Sequence, residues 1–288
     1  MKRSRANFWL FLSPALLSFV VVVFIPMLMG FGYAFTNWSG VGGKLKFIGF
    51  ENFIKMFIGE PYFVRALVFT FGITFFTVIL VNLVGMSLAF LVTQKFKIAN
   101  FLRSVFFMPN LIGGLLLGFT WKFVFIDIFS AFGKLFGWNF LQGWLSNMHT
   151  GFLGILIVNV WQMSGYLMIL YIAQLQQIPT SVKEAARIDG SNWWQTFTKI
   201  TFPLLMPAFT VGMFLSIANS FKMFDQNLAL TNGAPYRSTE MLALNIYNTA
   251  FASNANGYAQ AKAIVLLIIV ATIGLTSLII TKKKEVEM

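Results

Sequence analysis

The sequence predicts an all-α integral membrane protein with six transmembrane helices and a polar loop between the fourth and the fifth. Three observations predict it. The 288-residue chain is 58% hydrophobic and 10% charged, with a mean hydropathy of +0.76, which removes it from the composition of soluble domains. Its charged residues leave six windows for helices of roughly 20 apolar residues, the length that crosses a hydrocarbon core about 30 Å thick. Between two of those windows, residues 178–207 read IPTSVKEAARIDGSNWWQTFTKITFPLLMP, a polar segment in an otherwise apolar chain.

The first window runs from about Phe8 to Phe35, between Arg5 and Lys44. A KRSR start before an apolar run also suits a cleaved signal peptide. This run is too long for that, and no A-x-A-like site follows, so a retained helix is expected. The second window covers about 66–93, between Arg65 and Lys95, and the third about 104–125, where Lys122 reaches the interface by snorkelling. The fourth covers about 152–174, the fifth about 204–221 and the sixth about 263–281. No repeat of solenoid or inverted type divides the chain, so residues 1–288 are expected to form a single domain. Pro14, Pro26, Pro109, Pro203 and Pro207 lie in or beside the windows. A missing N–H bends or ends a helix, which suits a moving transporter, although proline is also ordinary in membrane helices.

Six spans place both termini on one side, and the basic residues decide which. The N-terminus, the 94–104 loop, the 178–203 segment and the C-terminus hold 12 of the 21 Lys and Arg; the three longer loops of the other face hold nine. By the positive-inside rule the first set is cytoplasmic, with Lys2, Arg3, Arg5 and the Lys282-Lys283-Lys284 run as its clearest anchors. The net charge of +12 follows from that topology and does not require nucleic acid.

Composition also excludes most chemistry. Without cysteine there is no disulfide, thiolate nucleophile or cysteine-bound metal, and His149, the single histidine, leaves little for a metal site. Nine acidic residues, almost all in loops, supply no cluster of nucleophile, acid and base, so the chain is not expected to be an enzyme. It carries no G-x-x-x-x-G-K-[ST] phosphate loop. An ion-coupled secondary transporter would place buried carboxylates or a buried Lys within its spans, and the central windows offer none.

The polar loop has a local reading. Pro179 sets the exit from the fourth window, and Ser181-Val182-Lys183-Glu184 fits a capping box that would start a short helix. Ala185 and Ala186 add helix propensity and a surface that another protein can approach closely. Gly190 can take the left-handed conformation that stops a helix, and Ser191 or Asn192 can cap a second one reaching about Thr201 before Pro203. Glu184 thus has two readings, completion of the cap or contact with a partner.

Polar residues inside the spans also have two readings. Asn159, Gln162 and Tyr166 share one helical face of the fourth window, and Ser216, Asn219, Ser220 and Met223 repeat the pattern in the fifth. Such stripes supply the carboxamides, hydroxyls and apolar planes that a sugar needs. They also suit hydrogen bonds between helices, each worth about 0.6–2 kcal/mol.

Glu184-Ala185-Ala186, then Asp189-Gly190, then Ile200 and Phe202-Pro203 resemble the EAA loop of ABC importer permeases. With FLSPALLSFVVVVFIPM (11–27), FIGFENF (47–53), LRSVFFMPNLIGG (102–114) and LTNGAPYRSTE (230–240), nearly the whole chain is similar to the sugar-permease branch of binding-protein-dependent ABC importers. Ser191 and Phe202 depart mildly from that pattern, where Ala and Leu are usual. The resemblance implies the type I importer transmembrane fold in a bacterial cytoplasmic membrane, with Glu184, Ala185, Ala186, Asp189 and Gly190 coupling to an ATPase. ATP and magnesium would sit on that ATPase, in two copies, with no cofactor on this chain. A second homologous permease and an extracytoplasmic sugar-binding protein would complete the importer, the latter meeting the face that holds His149, Asp127 and the 225–258 loop. Substrate-lining positions of the maltose-system subunit fall on Asn110, Asn159, Gln162, Met163, Tyr166, Asn219, Ser220 and Met223. An oligosaccharide is the implied cargo, with glycerol 3-phosphate or another polyol as the alternative that Lys222 keeps open.

Overall fold

The computed structural model describes residues 2–40, 42, 45–94 and 97–285, with side chains from Phe8 onward. Lys44, Lys95 and the side chains of Lys2, Arg3 and Arg5, used above as boundaries or anchors, lie outside the described residues. Among those residues six helices are long and apolar enough to cross a membrane: Phe8–Tyr33, Pro61–Thr93, Gly114–Phe136, Met148–Gln177, Trp193–Phe221 and Asn256–Lys282, called here the first to sixth spans.

Most spans extend past the charge that bounded their window. The second starts at Pro61, which has no N–H to lose in a first helical turn, and takes in Arg65. The fourth starts at Met148 because the Asn147 side chain accepts the Thr150 N–H at 2.9 Å. His149, expected in an outer loop, therefore lies in a helical turn. The sixth starts at Asn256 and encloses Lys262. The 225–258 segment, expected as a loop, holds helices at Asp225–Leu230 and Leu242–Tyr247 and a π-turn at Asn248–Ala252.

Proline shapes three spans. The expected third helix over 104–125 is instead broken: Ala99–Phe107 passes into a 3-10 turn at Met108–Leu111, Ile112 and Gly113 are extended (ψ 128° and 140°), and a new helix begins at Gly114. Pro109 cannot donate to the preceding turn, so the helix stops there. The span then continues to Phe136, which places Lys122 and Asp127 within helix rather than beyond its end. In the first and fifth spans the chain stays helical by widening. A π-turn at Val20–Phe24 ends two residues before Pro26, and one at Phe197–Thr201 ends two residues before Pro203. Shifting the bond pattern by one residue absorbs the donor that proline lacks. Pro203 therefore does not end the loop's second helix, which runs unbroken from Trp193 to Phe221.

The chain packs as two compact units, residues 1–64 with 245–267, and residues 65–244 with 268–288. The smaller holds the first span, whose apolar window is 0% buried by the rest of the chain. It also holds a buried charge. The Lys262 ammonium, fully buried, lies 2.7 Å from Glu60 Oε2 and donates to Asn245 Oδ1 and Thr249 Oγ1, both at 2.8 Å. The Tyr258 hydroxyl donates to Glu60 at 2.5 Å, and its ring centroid lies 4.5 Å from the ammonium. Pairing and hydrogen bonds together let a lysine sit inside the helix.

The larger unit has two apolar clusters. One joins Val81, Ala89 and Val92 of the second span to Leu167, Met168 and Tyr171 of the fourth and Leu205 and Ala208 of the fifth. The other joins Phe69, Ile73, Leu117, Phe125, Ile155 and Met241. Met163 belongs to the first cluster and Met223 to the second, and both border the cavity described next.

Candidate functional site

The polar loop folds as a bent helix pair. The fourth span ends at Gln177, and Thr180–Ile188 begins after Pro179, which holds the N-cap with φ −60° and ψ 139°. The expected Ser181–Glu184 capping box does not form, because Ser181 already lies within the first helical turn and no side chain caps this end. Glu184 is left exposed. The helix ends in a reciprocal cap: Ser191 N–H donates to Ala186 O at 3.0 Å and Gly190 N–H to Arg187 O at 3.1 Å, around Gly190 at φ +78°. A left-handed residue is needed there, and glycine carries no Cβ to oppose it. Two residues on, Asn192 and Gln195 exchange side-chain-to-backbone bonds of 2.9 Å each, a capping box that starts the fifth span.

Ala186 packs inward, whereas Glu184, Ala185, Asp189 and Gly190 lie on the exposed side of the pair. Exposed with them are Ile188, Trp193 and Trp194, apolar side chains that sequence reasoning did not single out. Because the loop's second helix is the fifth span, any displacement of this pair acts on one continuous helix that also carries Asn219.

That helix borders a cavity of about 430 Å³. Six of the predicted substrate positions line it: Asn110 from the 3-10 turn, Asn159, Gln162 and Met163 from the fourth span, Asn219 from the end of the fifth and Met223 just beyond it. Two do not. Tyr166 shares the face of Asn159 but stands about 10 Å further along the helix axis, at 1.5 Å per residue, and its side chain is 39% exposed outside the lining. Ser220 turns into the packed interior beside Ser216, both fully buried. Ser216 accepts from Asn82 Nδ2 at 3.1 Å, and Tyr171 donates to Asn82 Oδ1 at 2.5 Å, so this part of the stripe ties helices together.

The break in the third span builds one wall. The Gln162 Nε2 donates to the freed carbonyl of Ile112 at 3.0 Å, which satisfies an acceptor that regular helix would have covered. Gln162 Oε1 accepts from Gln226 Nε2 at 2.5 Å. Asn159 donates to Thr77 Oγ1 at 3.2 Å while its residue also lines the cavity, so it serves both readings at once.

Lys222, Phe224, Asp225 and Gln226 complete the lining. Of these only Lys222 was weighed from sequence. Asp225 and Gln226 sit on the Asp225–Leu230 helix, a six-residue element that no hydropathy window detects.

Residues 81–283 match the family model described as binding-protein-dependent transport system inner membrane component. A relative in Thermoanaerobacterium thermosulfurigenes named "Probable starch degradation products transport system permease protein" is 47% identical over 98% of this chain and 96% of its own length. A multiple sugar-binding transport system permease of Streptococcus mutans is 34% identical over 96% of each chain, and an arabinooligosaccharides transport system permease of Bacillus subtilis 31% identical over 95% of this chain and 88% of its own. In fold the chain is similar to a solved bacterial ABC transporter involved in alginate import, with a TM-score of 0.84, 19% identity and coverage of 98% of this chain and 96% of that one. The multi-span architecture, the bent polar loop and the match over most of its length together place the chain in the family of binding-protein-dependent transport system inner membrane components.

Proposed function

We propose that this chain is one of two homologous permeases in an importer that carries a neutral oligosaccharide across the bacterial cytoplasmic membrane, driven by a separate ATPase. The cavity carries this reading. Amides of Asn110, Asn159, Gln162, Asn219 and Gln226 surround it, with Met163, Met223 and Phe224 as apolar surfaces. A sugar offers hydroxyls to such amides and C–H faces to such surfaces. The names of the relatives, which mention starch degradation products, multiple sugars and arabinooligosaccharides, support the class. Glycerol 3-phosphate or another polyol is the second reading, favoured by Lys222 at the wall; Asp225 at the same wall counts against a doubly negative ligand.

In this reading the exposed side of the 180–201 helix pair, with Glu184, Ala185, Asp189 and Gly190, seats in a cleft of the ATPase while Ala186 holds the pair together. ATP and magnesium bind to that partner, and this chain supplies no cofactor site. Closure of the ATPase dimer displaces the pair, and the unbroken helix from Trp193 to Phe221 passes the displacement to Asn219 at the cavity. Two ATPase clefts and one loop per chain call for a second permease. The exposed first span offers a face that lipid or that second permease covers. Both termini lie in the cytoplasm, and the 225–258 segment meets the binding protein outside.

Reconstitution in vesicles by successive omission tests the proposal, with ATP inside and sugar outside. Uptake is expected only when the second permease, the ATPase and the binding protein are all present. Transport by this chain without the ATPase overturns the reading. Transport by a homodimer with ATPase and binding protein overturns only the two-permease part.

A further inference from the structure

The cavity contains one cation and one carboxylate among neutral amides. Lys222 and Asp225 are both exposed to it, and among the described residues no ion pair within 4.0 Å holds either one. Their positions are not loose. The Asp225–Leu230 helix lies against the start of the third span, where a Cβ on Gly114 would stand 2.7 Å from Asp225 Cβ and one on Gly118 would stand 2.6 Å from Ala229 Cβ. Two glycines four residues apart thus let the short helix approach closely enough to bring Asp225 to the wall. Behind it the fully buried Asn227 anchors the segment, donating to Thr231 Oγ1 at 3.0 Å and Thr239 O at 2.8 Å and accepting from Met241 N–H at 2.9 Å. On its other side Gln226 is bonded across to Gln162. A carboxylate carried on a backbone held in this way, with no ion-pair partner among the described residues, is available to a ligand.

We propose that Asp225 is a specificity-determining residue of this cavity: its carboxylate accepts hydroxyl hydrogens of a neutral oligosaccharide and repels acidic ones such as uronate oligomers. Lys222 at the same wall offsets part of that repulsion, so its removal sharpens the discrimination. The inference rests on the reading that the cavity holds the cargo. Carboxylates accept hydroxyl hydrogen bonds more strongly than amides do, because the acceptor is charged. The same charge opposes a second carboxylate nearby, by on the order of tenfold in binding at an effective dielectric near 20 after allowance for solvent in an open cavity.

The test uses the assembled transporter in detergent without its binding protein, so that only the permease cavity selects. Thermal stabilisation is titrated with maltotriose and with trigalacturonate, at low and high salt. The wild type is expected to respond to maltotriose at a half-saturating concentration at least tenfold below that for trigalacturonate. Asp225→Asn should reduce that ratio about tenfold, Asp225→Lys should invert it, and Lys222→Gln should raise it; high salt should shrink each difference. Asp225 is exposed, so the unliganded melting temperature should hold in all variants. A ratio that stays within twofold of wild type in Asp225→Asn overturns the proposal. Asn159→Leu separates the underlying reading, because loss of the maltotriose response in that variant places the sugar in the cavity whatever Asp225 does. Retention of the full response in both Asn159→Leu and Asp225→Asn overturns the cavity reading and the proposal together.

Discussion

Gly165 is where this fold should tolerate a methyl group least. An added Cβ would stand 1.8 Å from the carbonyl oxygen of Phe106, 2.6 Å from its carbonyl carbon and 3.0 Å from Phe107 Cα. All three are backbone atoms of the Ala99–Phe107 helix, so no change of rotamer can relieve the overlap. The fourth span and that helix must part until the closest contact rises from 1.8 Å to at least 3.0 Å. Overpacking of this kind costs about 1–3 kcal/mol and sometimes more. Parting also strains the Gln162–Ile112 bond beyond the helix end, worth about 0.6 kcal/mol in a membrane. Against this, Ala gains about 1 kcal/mol over Gly in helix propensity. The net expectation for Gly165→Ala is a loss of about 0.5–2.5 kcal/mol, with the wall that holds Asn110 displaced. Gly113→Ala is the control, since nothing lies within 4 Å of its Cβ and its φ of −59° suits any residue. Unfolding of the purified permease in mixed micelles by increasing SDS reads the stability, and uptake by the reconstituted transporter reads the wall. If Gly165→Ala unfolds at the same SDS fraction as Gly113→Ala and transports normally, the close approach of these helices does not shape the cavity.

Gly190→Pro and Ala185→Trp should leave the permease in the membrane but release the ATPase, because the first forbids φ +78° and the second adds bulk to the exposed side; normal co-purification and uptake in either would show that the pair is not the coupling element. Asn159→Leu should abolish uptake while assembly survives, through loss of a cavity amide at about 1–3 kcal/mol, whereas Tyr166→Ala should leave the affinity for sugar within about twofold because Tyr166 stands outside the lining. Equal effects of the two in a sugar-binding titration would mean that the helix face, not the cavity, is the relevant grouping. Lys262→Met should cost about 3–5 kcal/mol by stranding Glu60, and Glu60→Gln in the same chain should restore much of it. A melting temperature for Lys262→Met equal to wild type would show that the cluster contributes nothing to stability.

How much of this was legible in the sequence depended on how far apart the cooperating residues lie. The helix pair was legible in outline because its signals are local: Gly190 marks the stop, and Asn192, one of two expected caps, starts the second helix two residues on. Its first cap was misread by two positions, since Pro179 holds the N-cap and the helix has begun before Ser181 can cap it. The cavity was read in part. Helical periodicity reports the angle of a side chain around an axis but not its depth, so Asn159 and Tyr166 looked equivalent although two turns separate them. The packing of Ser220 was equally invisible, because what covers it comes from other helices. Asp225 and Gln226 were missed for a different reason. Their helix is too short to announce itself, and the glycines that seat it, Gly114 and Gly118, lie a hundred residues earlier in a span whose start Pro109 had obscured.

Lys262 puts the same limit most sharply. A charge in an apolar run reads as the end of a span, because alone in hydrocarbon it would be expensive. Here Glu60, Asn245 and Thr249 converge on it from outside its helix, and the span continues past it to Asn256. The energetic argument for the boundary was sound for an isolated lysine. It failed because the partners that remove the cost sit up to two hundred residues away, at Glu60, where one-dimensional pattern carries no information about them.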